Sequence, residues 1–284
     1  MSKVFLIIIG IILIIVLLFF LVSTAGEAIF NQKVKKEVAD ILNDTENKNE
    51  IIRKEDLAGL PLPVQKWLET SGVVGKEKIK TVHLKQKGFI RTKEDMSWMP
   101  VEADQYYTVD KPRFIWHAKV KMAPLLYFVG RDKYDEGRGN MLIKLLSLIT
   151  VANGTGPEID QGTLLRYLGE IVWFPTAALA SYITWEEIDA HSAQATMTYG
   201  GITASAIFKF NDQGEVTDYL CDRYMTVDDG YRLEKYSVPM EDYQELDGLQ
   251  IPTRAVGMWK LHTGDFSYYK AEVTEIEYNK PLVY

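Results

Sequence analysis

Arg113-Phe114-Ile115-Trp116-His117-Ala118-Lys119-Val120-Lys121 decides the fold. In an extended chain successive side chains point to opposite faces, so Phe114, Trp116, Ala118 and Val120 share one face. Ile202, Ala204, Ala206, Phe208 and Phe210 repeat the pattern, opposite Thr203, Ser205 and Lys209. One apolar face and one wetter face mark antiparallel sheet. Turn chemistry follows at Asn211-Asp212-Gln213-Gly214, Asp228-Asp229-Gly230, Asp247-Gly248 and Thr263-Gly264-Asp265. These turns lie about 16 to 19 residues apart, the rhythm of a meander of long strands. The period of two begins near Thr81; the last segment, 266–278, alternates less cleanly.

One stretch breaks the strand pattern. Asp160-Gln161-Gly162-Thr163 supplies capping residues, and 164–173 follows with Gly169 as its one breaker. Phe174-Pro175 kinks or restarts the helix, and apolar residues continue to Ile183. From 161 to 183 only Arg166 and Glu170 are charged. A helix this apolar must cover something apolar, and the concave face of the sheet is the surface available.

Outward toward the amino terminus, Leu60-Pro61-Leu62-Pro63-Val64-Gln65-Lys66-Trp67-Leu68 reads as a short helix with proline in its first turn, closed by Gly72. Trp67 docks it on the sheet. Residues 28–49 carry a loose apolar stripe of Ile29, Val34, Val38, Ile41 and Leu42, read as a helical stalk with a wet charged face and a solvated break at 43–49. Residues 4–22 contain no polar or charged side chain. Nineteen residues at about 1.5 Å each reach about 28 Å, the hydrocarbon thickness of a bilayer. The segment is therefore read as a membrane span. It exceeds the core of an ordinary signal peptide, which favours a permanent anchor over cleavage at Ser23-Thr24-Ala25. Lysine counts on the two sides (Lys3 and the amino terminus against Lys33, Lys35 and Lys36) place the domain inside. Yet residues 23–32 carry no Lys or Arg, and long domains translocate regardless of charge. The balance taken here is a single-pass protein with an extracytoplasmic domain. The expected organisation is a transmembrane anchor at 1–25, a helical stalk at 26–56 and one β-rich domain at 57–284.

Composition narrows function. The net charge of −7 and scattered basic residues argue against nucleic acid. Cys221, the single cysteine, rules out an intrachain disulfide and a cysteine zinc cluster, and reads as a small buried hydrophobe. His83, His117, His191 and His262 show no paired metal-ligand spacing. No Gly-x-Ser-x-Gly elbow occurs, and Gly137-Arg138-Gly139 and Gly154-Thr155-Gly156 lack the rest of a phosphate loop. No catalytic residue, metal or cofactor is assigned. Glu170 stands one turn from Arg166, and a buried charge needs a partner, so an ion pair is expected, extended to Asp222 or Arg223.

The middle of the chain resembles a family of uncharacterised bacterial proteins, one of the domains of unknown function. The resemblance rests on Trp116-His117-Ala118, the run Asp132 to Gly139, the block Arg166-Tyr167-Leu168-Gly169-Glu170-Ile171-Val172-Trp173-Phe174-Pro175, Asp222-Arg223, and Ile251-Pro252. It covers roughly 57–280 and implies no activity. In architecture the chain is similar to periplasmic lipoprotein carriers, whose curved half-barrel sheet, closed by helices, holds acyl chains. With that likeness the pattern reads as an α+β fold: a long antiparallel meander curved into a half-barrel, covered by the inserted helix, behind an N-terminal transmembrane helix. The tether, the apolar helix among strands and the absence of catalytic motifs together point to a non-catalytic carrier of a lipid or other apolar ligand, with 164–183 as lid. Arg166, Glu170 and Arg223 are the candidate polar contacts; Trp116, Tyr134 and Trp173 are the candidate apolar ones. Two other readings stay open: an envelope scaffold or sensor with a self-filled core that contacts a protein partner, and a hydrolase.

Overall fold

A computed structural model of the chain describes residues 3–45 and 49–284. The amino terminus weighed for orientation and the centre of the expected break at 43–49 lie outside the described residues. Among the described residues there are three α-helices: α1 (Lys3–Leu42), α2 (Leu62–Thr70) and α3 (Pro157–Glu170). Strands β1 (Thr81–Ile90), β2 (Met99–Thr108), β3 (Arg113–Ala123), β4 (Leu126–Asp135), β5 (Arg138–Leu145) and β6 (Ile149–Gly154) precede α3. Strands β7 (Ile183–Asp189), β8 (Ser192–Tyr199), β9 (Ile202–Phe210), β10 (Val216–Val227), β11 (Gly230–Leu246), β12 (Leu249–Leu261) and β13 (Gly264–Tyr278) follow it.

All of them join one 13-stranded sheet in the order β6-β5-β4-β3-β2-β1-β13-β12-β11-β10-β9-β8-β7. Each pairing is antiparallel. Two meanders of hairpins thus meet at β1 and β13, so the segment between β6 and β7 crosses from one sheet edge to the other. That segment is the apolar insert. The right-handed twist of so many strands curls the sheet into a half-barrel, and the insert runs along its concave side.

The insert starts earlier than its capping residues imply. Pro157 occupies the first helical turn after Gly156, because a proline there loses no hydrogen bond. Asp160 then serves the sheet instead: its carboxylate accepts from the Gly139 N–H at 2.7 Å and from Arg138 at 2.9 Å. After Glu170 the chain tightens into short 3-10 turns at Ile171–Trp173 and Pro175–Leu179. Gly169 permits the close approach to β10, since a Cβ there would sit 3.1 Å from the Tyr219 ring. Leu164, Leu168, Phe174 and Ala177 are buried in the main core beneath. Trp67 of α2 stacks on Phe208 at 6.2 Å, as its apolar stripe requires.

α1 is long and apolar enough over its first half to cross a membrane. It passes residue 25 without a break, and its second half lies on the convex face of the sheet. Phe30, Val34, Val38, Ile41 and Leu42 form a second core with Tyr106, Ile115, Val129 and Leu142. Each such buried side chain contributes about 1.5–3 kcal/mol. Ile29, placed on the stripe by spacing, is exposed; Phe30 takes its place. Lys119–Glu27 at 2.6 Å and Arg131–Glu37 at 3.0 Å tie the helix's charged residues to the strands, so the expected wet stalk is docked along its length.

Candidate functional site: an amphipathic cavity under α3

Between α3 and the concave face lies a cavity of about 270 Å³. This is just under the roughly 300–1,000 Å³ of small-molecule sites. Its walls are apolar and aromatic, drawn from both meanders: Phe128 and Ile143 on one side, Val238, Met240 and Ala271 on the other, with Trp173 overhead.

The polar floor is built around Arg166. One turn of helix carries it to Glu170, whose carboxylate accepts from Nε at 2.9 Å. Its Nη1 donates to Asp132 at 2.7 Å. Glu170 also accepts from Gln105 at 2.9 Å and from the Tyr107 hydroxyl at 3.0 Å. The guanidinium sits 5.0 Å from the ring centres of both Phe114 and Trp116. Burial raises the Asp132 carboxyl above its usual range even though Arg166 pulls it down. Burial works against the Arg166 cation, and Glu170 and Asp132 more than offset it, so its pKa rises. Removal of either sign leaves the other stranded in an apolar wall.

Arg223 is different. It lies over the Tyr236 ring at 5.0 Å and near the Trp259 ring at 6.0 Å, and it lines the same cavity. Among the described residues its guanidinium makes no hydrogen bond and no ion pair. Asp222 does not extend the cluster as expected. Strand alternation turns it to the opposite face, where it pairs with Lys235 at 2.8 Å, and Asp132 takes the place foreseen for it.

Five of the six expected contacts, Arg166, Glu170, Trp173, Arg223 and Trp116, therefore line one cavity. Trp116 Nε1 donates to Gln86 at 3.2 Å and Trp173 Nε1 to the Pro252 carbonyl at 3.0 Å, so both rings are held in place. Tyr134 stands outside the lining. It lies two residues past Asp132, where α3 rests directly on the sheet, and packs between Phe114 and Tyr167 with its hydroxyl unbonded. Sequence reading missed Asp132, Tyr219 and Tyr269 as wall residues. The only signal for Asp132 was its place in the Asp132-to-Gly139 block; its pairing opposite Trp116 appears only once strand register is known. Cys221 also lines the cavity, and burial pushes its thiol up to about 11. Among the described residues, no group of three His, Cys, Asp or Glu side chains is placed to hold a metal ion.

The fold and site define a class: a curled antiparallel half-barrel whose concave face encloses an apolar cavity with a charged floor, carried behind a membrane-length helix. The chain belongs to a family of unknown function, DUF6544, which matches residues 50–271. A comparison with functionally curated proteins finds no match. Among solved structures, a LolA superfamily protein from Nitrosomonas europaea is 10% identical, with a TM-score of 0.39 over 77% of this chain and 92% of that one. A porin-like protein from Bacteroides uniformis is also 10% identical, with a TM-score of 0.25 over 70% of this chain and 98% of that one. At those scores neither likeness bears on ligand or activity.

Proposed function

We propose that this protein is a membrane-anchored, non-catalytic binding or carrier domain for a lipid or other apolar molecule, displayed on the extracytoplasmic side. The observation that carries the proposal is the cavity itself. Its apolar walls are covered by an apolar helix, and the Arg223 guanidinium on its wall donates no hydrogen bond to the protein: the carboxylates in the same lining, Asp132 and Glu170, are bonded to Arg166. The Tyr236 and Trp259 rings partly compensate this half-buried guanidinium, and its N–H donors gain further when a ligand accepts their hydrogen bonds. A molecule with an apolar body and an acceptor head meets both demands: Arg223 takes the head, and Trp116 and Trp173 flank the body. Arg166, already neutralised by Asp132 and Glu170, holds the floor rigid and offers a secondary polar contact.

The test is a fluorescence titration of the purified full chain with a dansylated fatty acid and with its neutral alcohol analogue. Saturable binding of both is expected. Arg223→Met should weaken the acid about tenfold, the equivalent of one charge-assisted hydrogen bond, and leave the alcohol unchanged. Absence of saturable binding by either probe would remove the proposal.

A further inference from the structure

We infer that the tips of the β3–β4 and β5–β6 hairpins are inserted in the membrane beside α1, so that this end of the cavity faces the bilayer. The inference rests on residues 4–22 spanning a bilayer, and its test separates the two.

The tips are chemically unlike the protein's other turns. Chain reversal between β3 and β4 uses Met122-Ala123-Pro124-Leu125-Leu126, and between β5 and β6 Leu145-Leu146-Ser147-Leu148-Ile149. Other hairpins turn through Glu136-Gly137, Gly200-Gly201, Asp228-Asp229 and Asp247-Gly248. Leu125 has φ +68° and is 69% exposed. A tight turn in water favours Gly, Asn or Asp at such a position, for backbone freedom and for solvation. Leucine bears the backbone cost of the positive φ whatever surrounds it, and lipid accounts for the apolar side chain exposed there. Met122, Ile149 and Val151 are likewise exposed apolar side chains at these two tips.

Position agrees with chemistry. Ser23, the first residue after the apolar run, donates to the Leu146 carbonyl at 3.1 Å and lies 3.2 Å from the Tyr127 hydroxyl. Gly26 lets the second tip approach, since a Cβ there would lie 2.6 Å from Leu148 Cδ2. No spacer therefore separates the span from the domain. Met122 and Leu125 share a groove with Val16, Phe19 and Phe20 of the span. Val16 lies six residues before Val22, so the groove that the tips share with the span runs about 9 Å along the apolar run. Backbone groups at that depth must be satisfied internally, and at the second tip Leu146 N–H donates to the Tyr127 carbonyl at 2.9 Å and Leu148 N–H to the Leu145 carbonyl at 3.0 Å. Val120, Phe128 and Ile143, which line the cavity, lie two or three residues from these tips on the same strands. An apolar ligand therefore passes between bilayer and cavity along this edge.

Single cysteines at Ile9, Leu125, Val151 and Asp212, each in a Cys221→Ala background of the full chain, would carry an environment-sensitive fluorophore in phosphatidylcholine vesicles. Acyl-chain spin-labelled lipid is the quencher. Probes at 125 and 151 should lose at least about half as much emission as the probe at 9, while 212, on a turn away from these tips, stays bright. Quenching at 9 with 125 and 151 as bright as 212 would overturn the inserted tips and leave the anchor standing. No quenching at 9 would overturn the span and the tips together.

Discussion

Replacing Arg166 with methionine keeps a long apolar side chain and removes the one cation that serves both Asp132 and Glu170. In the wild type these bonds measure 2.7 and 2.9 Å. Breaking a buried pair by deleting one partner costs about 3–5 kcal/mol, because the surviving charge stays buried. Here the three side chains keep 16%, 21% and 14% exposure, so partial solvation holds the loss to the low end, about 3 kcal/mol. For a domain of this size each kcal/mol moves the melting point by about 2–4 °C, giving a drop of roughly 6–12 °C at pH 7. The pH dependence fixes the cause. Asp132 already has a raised carboxyl pKa through burial. A carboxyl raised in the folded state favours folding below its unfolded pKa and loses that advantage as pH rises through the folded value. Loss of Arg166 raises it further, so the deficit of the variant should be largest near pH 8 and shrink toward pH 5. Circular dichroism melts of wild type and Arg166→Met across that range read it directly. A variant melting within about 2 °C of wild type at pH 7, or a deficit that grows on acidification, would refute the reasoning.

Other outcomes follow from the same geometry. Ala271→Phe places a ring in the cavity wall and should abolish binding of the dansyl probe while the melting point stays within a few degrees, read by titration and calorimetry. Cys221, its thiol pushed up to about 11 by burial, should alkylate at least about a hundredfold more slowly at pH 8 than in denaturant, followed by mass spectrometry. Burial lowers the His117 pKa below 6.5, although Asp104 and Glu27 pull the other way. Its neutral form is thus the folded one, and the stability it lends is intact above 6.5 and lost as pH falls through that value toward the depressed one; the His117→Gln variant should lose that part of the acid sensitivity in melts at pH 5 and 7. Ile41→Ala, in the core between α1 and the convex face, should cost about 2–4 kcal/mol without changing probe affinity, as denaturant titration and binding together would show.

Much of the fold was legible because it is written in local periods. The alternation at 113–121 and at 202–210 gives β3 and β9, and the polar turns at 211–214, 228–230 and 247–248 fall between the strands they separate. The apolar insert declared its role through composition alone, since a segment with two charges must be covered. What stayed hidden depends on contacts distant in sequence. Asp132 meets Arg166 because the β3–β4 register sets it beside Trp116 and α3 packs over that point, and no local pattern encodes either. Asp160 looked like a cap, yet its carboxylate is spent on Gly139 and Arg138 across the interface, and proline sets the helix start. The stalk stripe was visible, but whether water or sheet covers it depends on the opposite apolar face of β2 to β5. Ile115 and Val129 supply that face while their neighbours Phe114 and Phe128 point inward.

The carrier reading stands or falls on whether the space under α3 is occupied by an apolar molecule. Native mass spectrometry of the full chain, extracted gently from its own membrane, measures that directly, with Ala271→Phe run in parallel. A discrete added mass on the wild type, released by organic solvent as an apolar compound with an acceptor head and missing from the variant, is the expected result. A wild-type protein of bare polypeptide mass, indistinguishable from the filled variant, would contradict it.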